Sequence, residues 1–374
     1  MKFRLGQDLI DFIRKKQNMK SKFLDKVLWE IKRLVPYNFE ETKEDYLSIP
    51  DRTKKYWIQT NVFFNYKLYK YYKIKLLDEY NIKELELAYG LLSDEFSKKM
   101  FINVLLYQLF EEVHFRYPLF YSDVFNFIDE IEKNACSHLK GEIVPEGHLK
   151  VYDLTYFNYN NLKLLYGAQG IVVDYILQQY NYKNYVKVEK GDVVIDGGGC
   201  YGDTALYFSY LAGETGRVHS FEFIDSNIDI YNKNLMLNPK LSKNITLVRK
   251  PLWESSTMKL YTITHGAASH VSFVPLEEGA VEFTSISIDD YVRNNNMQKI
   301  DFIKLDIEGS EIPTIKGAQE TIKKFKPKLA ICVYHRKEDL WEIPILLKSF
   351  VPEYRLFLNH YTLHSGETVL FAIA

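Results

Sequence analysis

Val193-Val194-Ile195-Asp196-Gly197-Gly198-Gly199-Cys200-Tyr201-Gly202 is the stretch that decides the fold. Three apolar, β-prone residues run into an acid and a glycine cluster, and a helix is predicted to start near Asp203. A strand, a glycine turn and a helix in that order let a ligand approach backbone N–H groups closely. A plain strand–helix turn is the bland alternative. Three consecutive glycines argue against it, because each loses more chain entropy on folding than other residues do. The next predicted strand, Val218 to Phe221, leads into Glu222 and Phe223. A carboxylate at the tip of a second strand can accept both hydroxyls of a ribose, and Glu222 lies close to the expected spacing of about 20 residues from the glycines. The competing reading of Glu222 is a surface acid at a strand end.

Outward from this unit, short apolar runs recur at Ile245 to Val248, Phe302 to Leu305 and Leu329 to Val333, with helical segments between most of them. That alternation predicts an α/β fold with a parallel sheet covered on both faces. Tyr354 to Leu358 and Thr368 to Ile373 are two further strands joined by a short turn around Ser365 and Gly366, which predicts an antiparallel hairpin. Composition changes near Gly141. Before it, Gly and Pro are sparse and apolar residues recur at spacings of three and four, so residues 1–145 are expected to form an α-helical accessory domain and 146–374 the sheet domain. Ser93 is the expected cap of a helix that carries Phe96, Met100 and Val104, beside Phe101, Leu105 and Leu109, on a wide apolar face. Trp57 to Tyr80 reads as amphipathic helices, with an aromatic platform for nucleic acid or sugar as the sharper alternative.

The 374 residues carry a formal net charge of −1, with no strong positive excess, which argues against nucleic acid as a partner. Cys136, Cys200 and Cys332 are too few and too scattered for a disulfide framework. Met1 to Lys20 lacks the apolar core of a signal peptide, and no window suits a membrane span. A cytoplasmic protein acting on a small-molecule or glycan acceptor is expected, with the N-terminal helices as the candidate surface for a homo-oligomer.

Val194-Ile195-Asp196-Gly197-Gly198, Phe221-Glu222, Asn234 and Ile303-Lys304-Leu305-Asp306-Ile307-Glu308-Gly309-Ser310-Glu311 together resemble the FkbM-type S-adenosylmethionine-dependent methyltransferases. The resemblance runs from about Val151 to the C-terminus. It implies a class I, Rossmann-like fold: a doubly wound, mostly parallel seven-stranded sheet closed by the C-terminal hairpin. It also implies O-methylation of sugars or related natural products. It assigns Asp196, Gly198, Gly199 and Gly202 to the S-adenosyl-L-methionine pocket, Glu222 with Phe223 to the ribose end, and Trp253, after the third strand, to the adenine. Cys200 and Tyr201 depart from the family's pattern, as does Phe223 where Pro is common.

Asp306 falls at the carboxyl end of the fourth strand, the edge that faces the ligand crevice in such sheets. Glu308 and Glu311 follow at once. Carboxylates this crowded need a positive partner. The donor sulfonium, a divalent metal with oxygen ligands, and a purely structural cation such as Lys304 or Lys316 all remain open. Asp306, His335 and Glu308 are the candidate catalytic residues. His335 is the expected general base because it ends the neighbouring strand and titrates near neutrality. Asp306, His335 and His360 are the candidate metal ligands. His265 and His270, in a loop-like segment from Thr264 to Ser272, are weaker candidates for the acceptor site. A nucleoside-binding module without catalysis, acting through its helical region, is the alternative class, and a nicotinamide oxidoreductase is a third.

Overall fold

In the computed structural model the described residues are Phe23, Lys26 and Val27 and residues 80–109, 121–136, 149–262, 271–272, 281–362 and 366–374. Met1 to Lys20, Trp57 to Glu79, His265, His270, Ser365 and the side chain of Leu109 lie outside them. The chain divides into two compact units, Met1–Pro118 and Leu119–Ala374.

In the first unit, α1 (Ile82–Leu91) buries Ile82, Leu85 and Ala88, and Asn81 caps it by accepting from the N–H of Glu84. In α2 (Glu95–Leu109) the cap is Asp94, not Ser93: the Asp94 carboxylate accepts from the N–H of Ser97 at 2.7 Å. Met100, Phe101, Val104 and Leu105 are buried as expected, whereas Phe96 is 45% exposed. Its ring sits on the first turn, at the edge of the apolar stripe. Phe23 packs its ring on Tyr89 and Phe101.

The second unit opens with α3 (Tyr121–Asn134), the hairpin β1 (Lys150–Asp153) and β2 (Lys163–Tyr166), and the short helix α4 (Ala168–Ile171), which runs on as a π turn over Val172–Ile176. Tyr152 and Lys150 of β1 both donate to Glu132 of α3. So α3 packs with the sheet side, and the boundary between the packed units precedes the composition change near Gly141. There follow β3 (Val193–Gly197), α5 (Asp203–Ala212), β4 (Arg217–Phe221), α6 (Asp225–Leu237) and β5 (Ile245–Val248). A small antiparallel sheet of β6 (Lys259–Thr262), β7 (Val271–Ser272) and β8 (Val281–Thr284) leads to α7 (Ile288–Asn294) and β9 (Phe302–Leu305). The chain ends with α8 (Glu311–Lys316), α9 (Gln319–Phe325), β10 (Lys328–Cys332), α10 (Asp339–Phe350), β11 (Arg355–His360) and β12 (Thr368–Ile373). Val271 and Ser272, expected in a loop, pair with β6.

Seven strands form one sheet in the order β11-β12-β10-β9-β3-β4-β5. Neighbours from β10 to β5 are parallel, and β12 runs antiparallel to both β10 and β11. Every residue of β9 is buried, so both faces of the sheet centre are covered, as parallel strands require. Strand order reverses beside β3, whose neighbours are β4 and β9. Open parallel sheets place their ligand crevice at the carboxyl ends of the strands at that switch point. β12 runs the other way, so its amino end reaches the same edge.

Candidate active site

Asp196 and Lys304 face each other directly across β3 and β9. Both are buried, and their charged groups lie 3.4 Å apart. Thr204 and Ser220 also donate to the Asp196 carboxylate. The Lys304 ammonium donates to the carbonyls of Gly197, at 3.1 Å, and Gly198, at 2.7 Å. Burial opposes a charged lysine, but Asp196 and Asp306 outweigh it and hold the ammonium protonated. Lys304 therefore draws the glycine-turn carbonyls inward. Asp196 does not reach the ligand space; it fixes the turn from below.

The turn itself admits only glycine at its tightest point. Gly198 has φ +83°, and a Cβ there would lie 1.9 Å from the Asp306 carbonyl oxygen. Gly202, with φ +78°, caps α5 against the Tyr231 ring. The N–H groups of Gly198 and Gly199 bond the Phe221 carbonyl, which brings the end of β4 to the turn. Asn234 of α6 ties β2 to the turn: it bonds Leu165 through both backbone groups and donates to the Tyr201 carbonyl.

Above the turn is a cavity of about 440 Å³, within the usual range for a small-molecule site. Gly198, Glu222 and Phe223 line it, as do Asp306 and Glu308. Oε1 of Glu222 accepts from the N–H groups of Phe223 and Ile224, and Oε2 from Asn227 at 3.3 Å. The carboxylate keeps acceptor capacity for a ligand hydroxyl. Burial raises its pKa, against those donated hydrogen bonds. Gly199 and Gly202 shape the turn without lining the cavity. Trp253 is buried away from it, and Pro251 and Leu252 supply that wall instead. The strand end after β5 is where the sequence points, but its neighbouring residues take the wall.

At the other end Asp306 accepts from Tyr180 at 2.8 Å and from Tyr334 at 3.0 Å. Burial raises its pKa, but Lys304, His335 and the two phenols outweigh that and keep it anionic. Glu308 (φ +54°) and Gly309 (φ +90°) turn the chain sharply behind it. Such backbone concentrates at functional sites. Glu311 locks the bend by accepting from the N–H of Ile307.

His335 is not placed as a general base. Its ring, only 7% exposed, lies behind the cavity, with Nδ1 2.9 Å from Glu311 and Nε2 3.4 Å from Asp306 and 3.6 Å from Glu308. Burial alone would lower its pKa, but these three carboxylates raise it to about 9. That shift favours the protonated ring, which has no lone pair to take a proton. Asp306, Glu311 and His335 present ligand atoms within 4.8 Å of one another. Both ring nitrogens also lie within ion-pairing distance of carboxylates, so a protonated ring balances part of their charge. His360 is no part of this set: its Nδ1 bonds Thr368 at 2.7 Å. Lys316 lies exposed at the end of α8.

Several lining residues escape the sequence reading. Tyr166 donates to Asp174 in the π turn, and burial together with the Asp203 and Glu367 charges raises the Asp174 pKa strongly. Burial raises Asp203 to about 6, against the pull of Lys304. Glu367, just before β12, joins them. In all, six carboxyl groups line the cavity against two lysines. Asp306 is held anionic, whereas burial pushes Asp174, Asp203, Glu222 and Glu367 toward their neutral forms.

A glycine turn, a strand-tip acid and a mostly parallel seven-stranded sheet with one reversed strand, β12, next to its edge fit the class I methyltransferase architecture. The methyltransferase FkbM domain family matches residues 196–363. No curated protein matches the chain. Among solved structures, methyltransferase FkbM from Methylobacillus flagellatus KT is 20% identical with a TM-score of 0.49; the match covers 78% of this chain and 58% of that one. Fibrillarin from Aeropyrum pernix, solved with S-adenosyl-L-methionine, is 13% identical (TM-score 0.35; 53% of this chain, 72% of that one). A SAM-dependent methyltransferase from Aquifex aeolicus is 15% identical (TM-score 0.33; 60% and 100%). The chain thus spans 58% of the length of the Methylobacillus protein.

Proposed function

We propose that the protein transfers the methyl group of S-adenosylmethionine to a hydroxyl of a sugar, glycan or related small molecule. One observation carries the reading: the Gly198 turn and Glu222 line one cavity together with Asp306. When bound, the donor supplies an electrophilic methyl on a sulfonium. Glu222 holds the ribose hydroxyls, Phe223 and Leu252 flank the base, and the backbone of the Gly198 turn faces the amino-acid end. The carboxyl groups around Asp306 balance the sulfonium charge in a buried setting, where such pairing is strong. Holding donor and acceptor together supplies much of the acceleration. The free cysteines fit a reducing, cytoplasmic setting.

Calorimetry with S-adenosylmethionine and radiolabelled methyl transfer to a panel of hydroxyl compounds test this. Saturable binding with label on an acceptor hydroxyl is expected. Binding without turnover on any acceptor would favour a nucleoside-binding module without catalysis.

A further inference from the structure

Two stretches outside the family-matched residues 196–363 meet at the Asp306 end of the cavity. Gln179 and Tyr180 arrive from the amino side, after the π turn. Glu367 arrives from the carboxyl side, brought to this edge by the reversed direction of β12. Tyr334 and Thr362 complete the corner. We propose that this corner is the acceptor subsite, that it takes a neutral hydroxyl compound, and that Glu367 is the catalytic residue that removes the hydroxyl proton. The proposal rests on the methyltransferase reading.

The geometry singles out Glu367 because its neighbours are committed. Both Asp306 oxygens accept phenol hydrogens, and both His335 nitrogens face carboxylates. Glu367 makes no ion pair among the described residues. Its backbone is left-handed at φ +61°, and its carbonyl accepts from the N–H of Tyr361 at 3.0 Å. Thr362 holds the preceding Gly366 carbonyl at 2.6 Å, so the side chain springs from anchored backbone. Burial and then the Asp306 charge raise Glu367 to about 7, while Gln179, His335 and Lys304 pull it down. Asp174 and Cys332 face the same corner. A base poised near the ambient pH removes a proton most effectively. Lys304, the cation beside this corner, is spent on Asp196 and the turn carbonyls. A phosphate or carboxylate on the acceptor would therefore meet acids without a partner, and a neutral acceptor would not.

In the step, the acceptor oxygen bonds the methyl carbon as the carbon–sulfur bond breaks and its electron pair returns to sulfur. The hydroxyl proton passes to the Glu367 carboxylate and leaves to water with the product.

The test uses the full chain with S-adenosylhomocysteine bound and methyl α-D-glucopyranoside as the hydroxyl probe. Difference infrared spectroscopy follows protonated carboxyl groups across neutral pH. A carboxyl signal with its midpoint near 7 is expected; it should be displaced by the glycoside and missing from Glu367→Gln. Glu367→Gln should bind S-adenosylhomocysteine as the parent does, which shows that it has folded. A Glu367 signal in the ordinary glutamate range, or one the glycoside does not move, overturns the proposal. Failure of the parent to bind S-adenosylhomocysteine overturns the methyltransferase reading beneath it.

Discussion

Gly198 shows how far a single residue constrains this site. Any side chain there meets the Asp306 carbonyl at 1.9 Å, with the backbone already at φ +83°. Gly198→Ala should cost at least about 2–3 kcal/mol and weaken donor binding, read by thermal melting and calorimetry. His335 gives the second residue-scale test. Its folded pKa of about 9 exceeds the unfolded value of about 6.5, so its ion pairs stabilise fully below pH 6.5 and fade as pH rises through 9. That shift is worth about 3 kcal/mol at most. His335→Asn should therefore lose most stability against the parent at pH 6, with the gap closing by pH 9.5; a gap independent of pH would return the ring to a neutral state. The places of Gly198 and Glu222 at the cavity are legible in sequence because the turn and the strand tip that set them are local. The charge of His335 is not, because three carboxylates from a separate loop set it. Tyr180 is not legible either: it lies 126 residues from the Asp306 it serves. Asp196 lies beneath the turn and not among the residues that line the cavity, a depth that depends on Lys304 across the sheet.

At the scale of elements, β3 and β9 are joined through a buried ion pair in register. Removing one partner of such a pair strands a charge, at a cost of roughly 3–5 kcal/mol. Lys304→Met should destabilise by that order in denaturant melts. Adding Asp196→Asn should restore part of the loss, because no bare carboxylate remains; a double variant as unstable as the single one would mean that the lysine acts through the turn carbonyls alone. The large-sheet strands from β3 onward stand in the sequence within about two residues of their observed ends, since each is a short apolar run between helical segments. The β1–β2 hairpin and the β6–β7–β8 sheet do not, because their strands are short and mixed in polarity. The π turn is equally hidden, yet it and β2 bring Tyr166 and Asp174 to the cavity. Glu367 was within reach of topology: once β12 is antiparallel, its first residues must lie at the carboxyl edge of the parallel strands.

For the molecule as a whole, charge decides which ligand the cavity takes. Asp306, held anionic at the end of the cavity, suits a sulfonium better than a diphosphate. With its pKa raised, the His335 ring itself balances Asp306, Glu308 and Glu311. Treatment with a strong chelator should leave donor affinity and turnover unchanged, and activity lost to the chelator and regained with a divalent cation would reverse that assignment. No helix among the described residues is long and apolar enough to cross a membrane. The central claim is that the Gly198 turn and Glu222 cup a sulfonium nucleoside, and a calorimetric titration of the parent and of Glu222→Ala tests it most directly. Saturable binding of S-adenosylmethionine, weakened roughly tenfold or more by the loss of two hydroxyl contacts at about 1 kcal/mol each, is the predicted result. Saturable binding of NAD with no uptake of S-adenosylmethionine, or an affinity untouched by Glu222→Ala, would contradict it.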